Sequence, residues 1–155
     1  MNLSPDDFAL VVDSTPLVSI DLLIRNEKGE VLLGSRRNRP AQDFWFVPGG
    51  RIRKNEALQD AVRRIAQAEL GVGLERWELQ GAYDHIYEDN ALGRVGINTH
   101  YVALGCRCVL PEGSRITPDA QHAELRWWPL DELMRSPQVH LNTRRYFEEA
   151  PANKL

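Results

Sequence analysis

A Pro-Gly-Gly turn followed at once by an amphipathic helical pattern constrains this chain more than any other feature. Pro48, Gly49 and Gly50 follow the apolar run Phe44-Trp45-Phe46-Val47, and GRIRKNEALQDAVRRIAQAELGV runs from Gly50 to Val72. Leu58, Val62 and Ile65 recur at i, i+4 and i+7, with Ala61 and Ala68 in neighbouring positions, so the spacing predicts a helix with one stripe facing a core. Asn55 is the predicted N-cap and Gly71 the predicted C-cap. The polar side carries Glu56, Arg63, Arg64 and Glu69. Glycines let a backbone approach a ligand closely. A helix carrying carboxylate and guanidinium groups after them suits a metal-bridged phosphate.

The rest of the chain supports one domain, residues 1–155, large enough to bury roughly two thirds of its unfolded surface. A net charge of −3 with both signs interspersed is not the basic footprint of a nucleic-acid binder. No apolar run approaches the ~18 residues of a membrane span. Asp6 and Asp7 stand where a signal peptide would be basic, so a cytoplasmic protein is expected. Cys106 and Cys108 alternate with Arg107 and Val109 and read as strand cysteines, since neighbours two apart do not bridge.

Taken in order, Ser4 caps a short helix with Pro5 in its first turn, running to about Val12. Residues 17–24 read as a buried strand, 26–29 as a turn and 30–34 as a second strand. Asp21 is a carboxylate in an apolar strand, costly unless paired. Two readings stand for it: a satisfied structural group, or a functional one that partners an active-site arginine or lies near a bound sugar. Arg36, Arg37 and Arg39 precede the Gly turn, where guanidinium groups grip phosphate bidentately. Arg51 can point into the same site. Arg64 either pairs with Glu56 or reaches the phosphates. Residues 77–87 and 97–110 read as the strands of a hairpin, with Tyr83, His85 and Tyr87 on one face. His85 and Tyr101 are sheet aromatics or lining of a ligand site. Residues 114–123 form a polar loop with Gln121 and His122, then 125–129 a last strand and 142–150 an amphipathic helix ahead of a frayed end. His140 shows no chemical partner.

Gly50, Glu56, Arg64, Glu69, Gly71 and Val72 stand at the spacing of the Nudix box, which this chain therefore resembles. Two of the box's four glutamates are absent, replaced by Ile65 and Ala68. Fewer oxygen ligands favour a single hard cation that keeps its waters, and a site that draws its base from elsewhere. The resemblance implies a Nudix fold, an α/β/α sandwich with a mixed sheet between helices.

The departure resembles one subgroup in particular, the GDP-mannose mannosyl hydrolases. DDFALVVDSTPLVSID, LLGSRRNRPAQDFWFVPGGRIRKNE, HIYEDN, THYVALG and PDAQHAELRW all look like that subgroup's segments, from about Asp6 to Trp127. The resemblance implies hydrolysis of GDP-mannose, or of GDP-glucose, to GDP and free sugar by inverting substitution at sugar C1. It implies one Mg²⁺ (Mn²⁺ as a substitute) held by the Gly49 carbonyl, Glu69 and Gln121. Arg36 is selected for the diphosphate, and Asn2, Leu3 and Phe8 for the guanosine end. A homodimer is also implied. His122 is the implied base, which suits an imidazole titrating near neutrality. Without the resemblance, Phe8 reads as core or interface and His122 as a solvated loop residue. Two competing activities are a pyrophosphatase attacking phosphorus and a non-catalytic nucleotide-sugar module.

Overall fold

A computed structural model of the chain describes residues 2–116 and 122–148; the side chains of His122 and Ala123 lie outside that description. Helix α1 (Pro5–Ser14) begins as the sequence predicts, with the Ser4 hydroxyl accepting from the Asp7 amide at 3.2 Å. Strands β1 (Leu17–Ile24), β4 (Gly49–Arg51), β5 (Arg76–Tyr87) and β6 (Thr99–Val109) form a mixed sheet in the order β4-β1-β6-β5. β1 runs parallel to β6, and the other pairs are antiparallel. β2 (Val31–Arg36), β3 (Trp45–Phe46) and β7 (His122–Trp128) form an antiparallel sheet in the order β3-β2-β7.

The period-two alternation of the central strands divides the core into two layers. On one side Ile20, Leu22, Ile24 and Leu32 meet Ala61, Val62, Ile65, Ala66 and Leu70 of helix α2 (Leu58–Leu70). On the other, Leu23, Val31 and Leu33 pack with Trp45 and Trp128 against Leu133 of helix α3 (Leu130–Arg135), Val139 and Tyr146. Strands between α2 and the C-terminal elements make the expected α/β/α sandwich.

Four details differ from the sequence reading. Asn55 does not cap α2: it sits in the preceding loop at φ 66°, and the cap is Ala57, with no side-chain bond. The local cause is a turn in which the Glu56 amide donates to the Arg53 carbonyl, delaying the helix. Leu58 and Ala68 are exposed, so the buried stripe runs instead through Ala61, Val62, Ile65, Ala66, Glu69 and Leu70. The last strand begins at His122 rather than 125, because β2 continues to Arg36 and pairs with it there. Among the described residues the C-terminal helix is α4 (Leu141–Arg144), followed by a 3-10 turn, Arg145–Phe147. That tighter turn accompanies the packing of Tyr146 against Gly105, where a Cβ would lie 2.7 Å from the tyrosine ring. Residues 151–155, read as frayed, lie outside the described residues.

Three further local expectations agree. Gly71 closes α2 in the left-handed region at φ 69°, β5 and β6 form the antiparallel hairpin, and both cysteines are buried and free. Among the described residues no helix is long and apolar enough to cross a membrane.

Candidate active site

The Gly turn and β1 are locked together first. Gly49 sits opposite Asp21 in the β1–β4 register, and a Cβ at Gly49 would run into the Asp21 carboxylate and the Ile20 carbonyl. Only glycine fits that approach. At Gly50 a Cβ would instead meet the Ile65 side chain at 3.2 Å, which explains how the turn rests on α2.

A cleft of about 240 Å³ opens beside this junction, lined by Asp21, Arg36, Arg51, His85, Tyr87 and Tyr101. All four strands of the mixed sheet and the end of β2 bring these residues together from distant positions in the chain. Arg39 and Phe46 complete the wall. Arg36 is fixed by donating to the Pro40 carbonyl at 2.8 Å while its guanidinium lies 4.0 Å over the Phe46 ring. Arg51 lies 4.7 Å over the Phe8 ring, so α1 reaches this site within its own chain. Asp6 ties α1 to the β5–β6 loop through Arg94 at 2.8 Å. Asn2 and Leu3 are exposed ahead of α1.

Asp21 is the acidic group of the cleft. Tyr146 donates its hydroxyl to Asp21 Oδ2 at 2.6 Å, while His85 Nδ1 stands 3.7 Å away, too far for a good hydrogen bond. Burial raises the Asp21 carboxyl to about 6, against the lowering pull of the Tyr146 hydroxyl and of Arg36. Burial pushes His85 down to about 4, with His140, Arg145 and Arg36 adding to the effect. Its ring is therefore neutral near pH 7. Burial also raises Tyr87 and Tyr101, leaving both as hydroxyl donors.

The box residues take different places. Arg64 forms a fork on Glu56, at 2.7 and 2.9 Å, and donates to the Arg51 carbonyl at 2.9 Å. Its described bonds brace the turn that carries Arg51, and it is absent from the lining of the cleft. The fork holds the Glu56 carboxyl down at about 2. Ile65 is buried in the core, Ala68 is exposed, and Glu69 is buried on α2.

Among the described residues no group of three His, Cys, Asp or Glu side chains is placed to hold a metal ion. The donors implied by sequence are different in kind: the buried Glu69 carboxylate and the Gly49 carbonyl, both oxygens. Gln121 lies outside the described residues. An oxygen-only, carboxylate-poor set fits a hard cation that keeps part of its water shell. His122 pairs by backbone with Arg36 across β7 and β2, at the edge of the cleft-forming segment.

Tyr146, Phe46 and Tyr87 escaped the sequence reading as site residues, whereas Arg39 belonged to the arginine cluster already read as a phosphate clamp. Tyr87 carried a signal, the alternation with His85 on one strand face. Tyr146 and Phe46 carried none, since each looks like core.

Comparison with known proteins agrees with this architecture. The NUDIX domain family model matches residues 15–150. The chain is 40% identical over 121 residues to the low-salt glycan biosynthesis protein Agl8 of Haloferax volcanii, covering 78% of this chain and 76% of that protein. A MutT NUDIX hydrolase from Burkholderia pseudomallei superposes with a TM-score of 0.71 at 30% identity, covering 89% of this chain and 100% of that one. The MutT protein of Methanosarcina mazei Go1 superposes at 0.72 with 23% identity, covering 86% and 92%, and bears on the fold alone. With its box at the predicted spacing and its sheet and helices in this arrangement, the chain belongs to the Nudix hydrolase family.

Proposed function

We propose that this chain hydrolyses GDP-mannose, or a closely related GDP-sugar such as GDP-glucose, to GDP and free sugar. Water attacks sugar C1 with inversion. The observation that carries this reading is the fate of the box carboxylates. Ile65 is core and Ala68 is solvent-facing, so the box keeps two of its four carboxylates, Glu56 bound to Arg64 and the buried Glu69, and the resemblance gives the metal to Glu69. Family members use divalent ions such as Mg²⁺, but a site with one such carboxylate suits a single ion better than a cluster that activates water on phosphorus. The name of the Haloferax relative, a glycan biosynthesis protein, points toward sugar-nucleotide chemistry.

The chain's own groups have separable tasks. Arg36 and Arg51 grip the diphosphate from two sides of the cleft, and guanidinium groups match phosphate oxygens bidentately. Phe8, with Asn2 and Leu3, covers the guanosine end. Asp21, neutral His85 and Tyr101 offer acceptors and donors to sugar hydroxyls. His122 takes the proton of the attacking water. When bound by Glu69, the Gly49 carbonyl and Gln121, Mg²⁺ would stabilise the charge on departing GDP. No carboxylic acid is then needed to protonate the leaving oxygen, unlike an ordinary glycosidase.

The test is turnover of GDP-mannose with Mg²⁺ in ¹⁸O-labelled water, followed by mass spectrometry of both products. Label on the free sugar supports attack at C1. Label on a phosphate makes the chain a pyrophosphatase. Absence of turnover with retained binding makes it a nucleotide-sugar binding module.

A further inference from the structure

We propose that His140 is a positioning residue for Arg36, acting through the ring of Phe46 that both share. The inference deepens the reading above, in which Arg36 grips the diphosphate. Phe46 carries the Arg36 guanidinium 4.0 Å from its ring centroid and stacks with the His140 imidazole at 4.8 Å and 20°. Phe44 and Tyr87 meet the same imidazole edge-on or tilted, at 5.2 and 5.3 Å.

Backbone bonds put His140 there. The Trp45 amide donates to the Gln138 carbonyl at 2.9 Å, and the His140 amide returns to the Trp45 carbonyl at 3.2 Å. The segment 138–140 is thereby zipped along β3, which is only two residues long and has β2 on its other side. Without His140, one face of the Phe46 environment loses its aromatic packing, and the seat of Arg36 loosens with it.

The tautomer matters as well. His140 Nδ1 accepts from the Asn142 amide at 3.0 Å, so the neutral ring carries its proton on Nε2. A neutral imidazole leaves the negative face of Phe46 to the guanidinium, whereas a second cation would compete for it. The alternative role for His140 is purely structural, as the cap of α4.

Two substitutions in the full chain separate these roles. His140→Asn keeps a capping oxygen but removes the aromatic ring. His140→Phe keeps the ring but removes the acceptor. Calorimetric affinity for GDP with Mg²⁺ is one readout, and the Arg36 Nε–Hε NMR resonance, assigned by its loss in Arg36→Lys, is the other. His140→Asn should weaken GDP binding about fivefold, the scale of a partly desolvated cation–π contact. It should also move the Arg36 resonance out of its ring-shielded position. His140→Phe should stay within about twofold and keep the resonance, even where its melting temperature drops. In an Arg36→Lys background, His140→Asn should cost no further affinity. Unchanged affinity and resonance in His140→Asn, or equal losses in both variants, would overturn the proposal. Failure of the wild-type protein to bind GDP would count against the GDP-sugar reading instead, and the resonance alone would still decide the stack.

Discussion

Tyr146 donates its hydroxyl to Asp21 Oδ2 at 2.6 Å, across 125 residues of sequence, and so holds an acid that lines the cleft. The bond fixes one carboxylate oxygen and leaves the other, Oδ1, beside Gly49. A carboxylate inside an apolar strand would otherwise be costly. Tyr146 is therefore what lets β1 carry an acid into the site.

Tyr146→Phe keeps the ring and removes that donor. Stability should fall by about 1.5 kcal/mol, the scale of a hydrogen bond to a charged group. Turnover should fall about tenfold as Asp21 loses its orientation. Urea unfolding and steady-state kinetics would check this, and a variant matching the wild type in both would leave the bond without a role.

The two glycines of the turn should respond differently to alanine. At Gly49 the new Cβ meets a backbone carbonyl and the Asp21 carboxylate, neither of which can retreat cheaply. A loss of about 3 kcal/mol is expected, in the upper range for overpacking. At Gly50 it meets the flexible Ile65 side chain at 3.2 Å, so the loss should stay below about 1 kcal/mol. Denaturation midpoints of the two variants, measured side by side, test the ordering.

Restoring the missing box glutamates should be tolerated at one position only. Ala68 faces solvent, so Ala68→Glu should leave stability within about 0.5 kcal/mol. Ile65 is 1% exposed, and Ile65→Glu places an unpaired carboxylate in the core. A loss of about 3 kcal/mol or more is expected in metal-free buffer. Equal melting temperatures for the two variants would contradict the placement of Ile65.

His122→Gln should lower kcat by ~10² or more while GDP affinity stays nearly unchanged, as expected for a group that acts on water alone. Product formation and GDP calorimetry measure the two quantities separately. A loss below about tenfold would remove His122 from the base role.

Stability should fall as the medium is acidified from pH 6 to 4.5. Burial holds His85 and His140 at about 4, below the ordinary 6.5. Their contribution is complete above 6.5 and is lost as pH drops toward 4, because the unfolded chain binds those protons first. Asp21, raised by burial from 3.8 to about 6, acts oppositely, since the folded form holds its proton in that window. Two histidines against Asp21 leave a net slope of about 1.4 kcal/mol per pH unit in mid-window, and Glu56, lowered from 4.5 to about 2 by Arg64, adds to it in the same direction as pH nears 4.5. Urea midpoints across the window check the sign, and a midpoint rising on acidification would reverse it.

Sequence by itself determined the local elements and the family. The Gly50–Val72 spacing, the Ser4 cap, the Gly71 stop and the period-two strands are all written within a few neighbouring residues, so periodicity and capping chemistry reveal them. Even there, Asn55 shows the limit: a good capping residue lost its position to a neighbouring turn. The thinned box was equally plain, because Ile65 and Ala68 can be read by counting.

Tertiary structure decided the site. Whether Arg64 faced Glu56 or a ligand depended on where the turn carrying the Arg51 carbonyl lay. Whether Asp21 was paired depended on Tyr146, a residue whose own neighbours suggested only an amphipathic helix. His140 looked partnerless until β3 and the segment beside it were zipped together. Such contacts join residues far apart in the chain, and only sheet register and helix packing bring them within hydrogen-bond or stacking distance. Local composition carries no trace of that register, which is why these residues became legible only in the folded molecule.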